Sequence, residues 1–154
     1  MIKYLKEIFK LPGENSDSST DKKVQVATCA LLLEMANADD NFTEAERKKI
    51  ISVMQRTFDL SKEYVNELIE LSEDRIKRSI DIYGFASTIN QNFSKDEKFE
   101  LLKNLWRLIY IDETLDMNED HLIKTIGNTL NMEHQDIIAA KLMVKEENQK
   151  SDED

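Results

Sequence analysis

Two stretches of this sequence set carboxylates, hydroxyls and amides around a break in a helical pattern, in the same order, 73 residues apart. The first runs Asp39-Asp40-Asn41-Phe42-Thr43-Glu44-Ala45-Glu46. The second runs Asp112-Glu113-Thr114-Leu115-Asp116-Met117-Asn118-Glu119. Asp39 matches Asp112, Phe42 matches Leu115, Thr43 matches Asp116 and Glu46 matches Glu119. Grouped carboxylate and carbonyl oxygens suit a hard divalent cation, Ca²⁺ or Mg²⁺. The same residues also have a purely structural use. Glu46 and Glu119 stand three residues after Thr43 and Asp116, where a glutamate closes a capping box. Asp40 and Glu113 precede helix starts, where the macrodipole favours negative charge. Asp39 and Asp112 precede the caps by four residues, so capping alone does not require them. An EF-hand is excluded. The loop from Asp112 lacks glycine at its sixth position and carries Ile123 at its twelfth, and the loop from Asp39 has Ile50 there.

The elements that must position these residues are helices. Thr43-Glu44-Ala45-Glu46 and Ser94-Lys95-Asp96-Glu97 are capping boxes in sequence, and Asp116-Met117-Asn118-Glu119 is an aspartate version. Ser61, Asp74 and Asn131 or Glu133 are further candidate starts. Between the starts, apolar residues recur near every 3.6 positions: Ile50, Ile51, Met54 and Phe58; Val65, Leu68 and Ile69; Ile76, Ile80, Tyr83, Ala86 and Ile89. Phe99, Leu102, Leu105 and Trp106 continue the series, then Leu122, Ile123 and Ile126, then Ile137, Ile138, Lys141 and Leu142. No segment alternates with period two, and three glycines and one proline leave little to interrupt helices. The expectation is an all-α, compact, pseudo-two-fold bundle of about seven helices. Glu34 and Arg107 occupy equivalent places in the two copies, and a pseudo-symmetric crossing is expected to bring them together as a buried or half-buried pair. Trp106, Tyr83 and Phe99 are expected in the core.

Residues 1–20 read as an amphipathic arm followed by a flexible linker, with Ile2, Leu5, Ile8 and Phe9 interleaved with Lys3, Lys6 and Lys10 and stopped by Pro12-Gly13. Residues 21–147 form the helical domain and residues 148–154 an acidic tail. A formal net charge of −10 disfavours nucleic acid. Cys29 is the sole cysteine and sits in an apolar run, which excludes an intrachain disulfide and a cysteine zinc site. His121 reads as a surface residue, His134 falls in the first turn of the last helix, and no nucleophile–base spacing or phosphate-binding glycine loop occurs. No catalytic residue is assigned, and an enzyme is not expected. No membrane span or signal-peptide pattern is present, so a cytoplasmic protein is expected, with the arm able to lie at a membrane surface.

At Leu31–Asp39 with Phe42–Glu46, and at Leu105–Asp112 with Leu115–Ile123, the sequence resembles the tellurite-resistance TerB-like family. Met132–Lys141 is similar to that family's last helix, and the resemblance spans about residues 24–145. It implies a pseudo-symmetric seven-helix fold and a divalent-metal cluster. By position, that cluster is Asp39, Glu46, Asp112 and Glu119, with Asp40, Glu113 and Asp116 as secondary ligands. It further implies a non-enzymatic module in tellurite or general stress response, binding a divalent cation or a basic partner, with a protein partner, membrane-associated or not, and a homodimer both compatible. The sequence departs from the family at Asp40 and Glu113, where glycine usually follows the aspartate. The competing reading is a helical protein–protein interaction module whose acidic residues only cap helices.

Overall fold

The computed structural model describes residues 15–38, 42–77, 82–112 and 117–153. Seven α-helices and one 3₁₀ turn make up the described residues: α1 (Asn15–Ala36), α2 (Glu44–Phe58), α3 (Lys62–Lys77), α4 (Ile82–Asn92), α5 (Lys95–Ile109), the turn Tyr110–Asp112, α6 (Met117–Thr129) and α7 (His134–Glu153). No strand occurs among them. The all-α, seven-helix architecture is the one the apolar periodicity predicts.

Helix α1 is buried on nearly every side from Val24 to Ala36, with only Glu34 half-exposed. Leu31, Leu32, Leu33, Cys29 and Ala30 are each fully buried. A helix buried in this way needs neighbours nearly all round, and α1 packs against α2, α3, α4, α5 and α6. The packing obeys an exchange rule. α1, α2 and α3 touch one another, as do α5, α6 and α7, and the cross-contacts α1–α6 and α2–α5 map onto each other. Helix α4 packs on α1 and α6 and breaks this symmetry.

Helix ends follow local chemistry. Thr43 and Ser94 close full capping boxes with Glu46 and Glu97, and the Ser61 hydroxyl accepts the Tyr64 amide at the start of α3. Helix α6 ends in a Schellman motif: the Met132 amide donates to the Gly127 carbonyl and the Asn131 amide to that of Asn128. Asn131, at φ 60°, therefore ends α6, and Glu133 starts α7 by donating its amide to Asp136. Asp74 is not a helix start, for it lies in the last turn of α3.

Several sequence expectations shift. Helix α1 begins at Asn15, inside the polar run that reads as a linker, because nothing from Asn15 to Thr20 breaks a helix. Helix α7 continues to Glu153 through the segment read as a tail. Its Lys, Glu and Gln residues are good helix formers, and Glu146 and Lys150 pair across one turn. Ile76 belongs to α3, so the phase counted from it does not carry into α4, and Tyr83 is exposed rather than core. Leu142 is exposed too, whereas Trp106 is fully buried and Phe99 packs against the core edge. The amphipathic arm lies outside the described residues.

Trp106 locks α5 to α7. Its indole Nε1 donates to the Ile137 carbonyl at 3.0 Å, which satisfies the one polar atom of a buried ring. The next contact of α7 is with α6, where Gly127 accepts Ile137 so closely that an added Cβ would overlap the Cδ1 and Cγ1 of that buried side chain. Gly127→Ala is therefore expected to destabilise the fold by about 1–3 kcal/mol, despite a helix-propensity gain of up to about 1 kcal/mol. Urea denaturation followed by circular dichroism measures the balance; a stabilised variant would contradict this packing.

Candidate functional site

The two junctions are built on dissimilar helix ends. Helix α1 stops at Asn37, whose backbone amide and side-chain Nδ2 both donate to the Leu33 carbonyl at 2.9 Å. Helix α5 tightens into the 3₁₀ turn, with the Tyr110 amide directed at the Trp106 and Leu108 carbonyls. Phe42 and Ile111 pack against the core beside these turns. The chain then enters α2 and α6.

Glu46 is anchored at the start of α2. Its Oε1 accepts the Thr43 amide at 2.8 Å and the Thr43 hydroxyl at 3.0 Å, while its own amide donates to Thr43 Oγ1 at 3.1 Å. Glu119 takes the equivalent third position of α6. Both are buried, at 3% and 6% exposure. The Ser94–Glu97 box has the same chemistry but lies in solvent, and Glu97 is only partly buried. Capping explains the position of Glu46 and Glu97, and Glu119 stands at the matching place in its helix.

Of the candidate ligands, Asp39, Asp40, Glu113 and Asp116 lie outside the described residues, and Asp112 closes the 3₁₀ turn. No group of three or more His, Cys, Asp or Glu side chains that could hold a metal occurs among the described residues. Glu46 supplies carboxylate oxygen, the donor type that a hard cation prefers, and its Oε1 also serves the cap. Glu46 and Glu119 alone fall short of the six to eight oxygens that Ca²⁺ takes.

Other reactive groups are quiet. Burial pushes the Cys29 thiol up to about 12, so it stays protonated and unreactive. His121 is exposed, as the sequence suggests, and so is His134.

The expected Glu34–Arg107 pair does not form. Arg107 forks instead onto Glu147 of α7, Nη2 to Oε1 at 2.7 Å and Nε to Oε2 at 3.1 Å, with Nη1 donating to Asn104 at 2.6 Å. This hydrogen-bonded pairing raises the Arg107 pKa and lowers that of Glu147. The physical reason is reach. The side chain of Arg107 finds a carboxylate on the adjacent α7 and need not cross to α1. Glu147 escapes a sequence reading because it lies 40 positions away on a segment with no apolar period. A better signal was available in Lys141, whose place on an apolar stripe marks a cation lying over Trp106, 5.3 Å from the ring centroid. Glu34 remains half-buried with no hydrogen bond or ion pair to a described residue, and desolvation raises its pKa.

The fold is an all-helical bundle whose two helix triplets repeat in their packing. The family model for tellurite resistance protein TerB matches residues 25–142, and the chain belongs to that family. Searches of curated proteins and of solved structures found no match. No helix among the described residues is long and apolar enough to cross a membrane.

The Glu34 environment makes a pH-dependent prediction. Its folded pKa lies above its unfolded one, so ionisation penalises the fold at neutral pH and the penalty vanishes once both states are protonated. Glu34→Gln is expected to raise the melting temperature by about 1–3 °C at pH 7, with the gain shrinking as pH falls through the raised folded pKa and gone by about pH 4. Equal gains at both pH values would contradict this assignment.

Proposed function

We propose that this TerB-family chain is a non-enzymatic module that binds a divalent cation, Ca²⁺ or Mg²⁺, through its paired acidic junctions. Asp39, Glu46, Asp112 and Glu119 are the main ligands, and Asp40, Glu113 and Asp116 lie around them. One observation carries the reading: acidic turn, apolar residue, cap and glutamate recur in the same order at both junctions, 73 residues apart, and grouped oxygens of this kind suit a hard cation. The repeat is compatible with two half-sites, each of which supplies too few oxygens alone. The physiological setting that follows from the family is a tellurite or general stress response. In the alternative reading, the junction carboxylates serve as helix caps and the chain acts as a protein-docking module; the exposed Leu142 and Met143 of α7 favour it.

Isothermal titration with Ca²⁺, Mg²⁺, Mn²⁺ and Zn²⁺ separates the two. Saturable binding is expected for at least one hard ion, weakened tenfold or more by Asp39→Ala or Asp112→Ala. Glu97→Ala is expected to cost about 0.5–1 kcal/mol of stability through its capping box and to leave the titration unchanged. Absence of saturable binding, with Asp39→Ala and Asp112→Ala melting like the parent chain, would defeat the cation reading.

A further inference from the structure

On a chain of net charge −10, three cations gather around one apolar depression. Lys22 and Lys23 of α1 and Arg75 of α3 line a groove of about 520 Å³ between α1, α3 and α4. Val26, Ala27, Leu71 and Phe85 supply its apolar surface, and Thr88 lines it from α4. Some cations elsewhere are matched, Arg107 by Glu147, Lys103 by Glu100 and Lys124 by Asp120. Lys22, Lys23 and Arg75 form no ion pair with a described residue. Uncompensated cations beside an apolar surface call for an occupant with an apolar body and a negative head.

The dimensions narrow the choice. The lining residues span Lys22 to Ala27, Leu71 to Arg75 and Phe85 to Thr88, about one turn on each helix, or roughly 5–8 Å along each axis. That is too short to seat several turns of a partner helix. The volume falls within the range of small-molecule sites, which are mostly apolar with a few charged groups to fix orientation. The N-terminal arm is a poor occupant, because Lys3, Lys6 and Lys10 would meet three further cations. Carboxylate is the head group that the planar fork of Arg75 matches best.

We propose that the α1–α3–α4 groove binds a small amphiphilic carboxylate, a free medium-chain fatty acid. Its chain lies against Leu71 and Phe85, and its head lies at Arg75 with Lys22 and Lys23 alongside. The groove sits on the N-terminal half of α1, about 15 Å along the helix axis from the first acidic junction. It is therefore independent of cation binding there.

Titration calorimetry of the full chain with sodium decanoate, kept below its micellar range, tests this. Saturable binding is expected, weakened at least tenfold by Arg75→Glu and by Thr88→Trp, which fills the groove from an exposed helix face. Decanol, which lacks the charge, is expected to bind at least tenfold more weakly, and butyrate, which lacks the chain, to give no saturable heat. Thermal melts confirm that both variants fold. Four results would overturn the proposal: no saturable decanoate binding, decanoate binding unchanged in both variants, decanol binding as tightly as decanoate, or co-sedimentation with phosphatidylglycerol vesicles without binding of free decanoate. Divalent-cation titrations of Arg75→Glu should match those of the parent chain, which keeps this result separate from that of the junctions.

Discussion

Burial of α1 on nearly all sides is the constraint from which the architecture follows. A mostly apolar cylinder from Val24 to Ala36 can be removed from water only by a ring of other helices. Each surrounding helix needs one apolar stripe, and that is what the sequence supplies. Two hydroxyls inside the ring are tied to the backbone. Thr28 bonds back to the Val24 carbonyl at 2.8 Å, and Ser72 reaches the Val26 carbonyl at 3.4 Å. Such bonds limit the cost of burying hydroxyls in a close-packed interior.

The repeat divides this bundle into two triplets of helices, with α4 as the piece that has no counterpart. Where the triplets meet, α1 and α5 leave the core at their C-terminal ends and α2 and α6 start. Acidic residues gather there because a chain that leaves one helix and starts another must cap the second, and carboxylates do this well. The symmetry is one of topology rather than chemistry. Glu34 and Arg107 occupy matching places yet have different surroundings. Arg107 is held by Glu147 and Asn104, whereas Glu34 keeps a desolvated carboxyl.

How much of this was legible in the sequence depended on range. Helix count and most starts were readable, because Thr43, Ser61, Ser94 and Glu133 act within three residues of themselves. Asn131 misled because the same residue type that starts helices also tolerates the left-handed conformation that ends them. Tyr83 misled because a helical phase was carried across a break between α3 and α4. The Arg107–Glu147 fork and the Lys22–Lys23–Arg75 groove could not be read at all. Each depends on which helices lie side by side, and that is decided by packing rather than by any local period. Junction residues Asp39 and Asp112 were visible as a pattern of types, but a pattern does not fix where oxygens point.

Cys29 lends the molecule a property that its other features do not. It is the chain's sole sulfhydryl and is sealed within α1 against α3, with a proton it holds until about pH 12. Oxidants and soft metalloid oxyanions attack thiolates, and this site presents almost none at neutral pH. The domain is thus silent at its one thiol, and it can stay in its native shape through conditions that consume accessible cysteines.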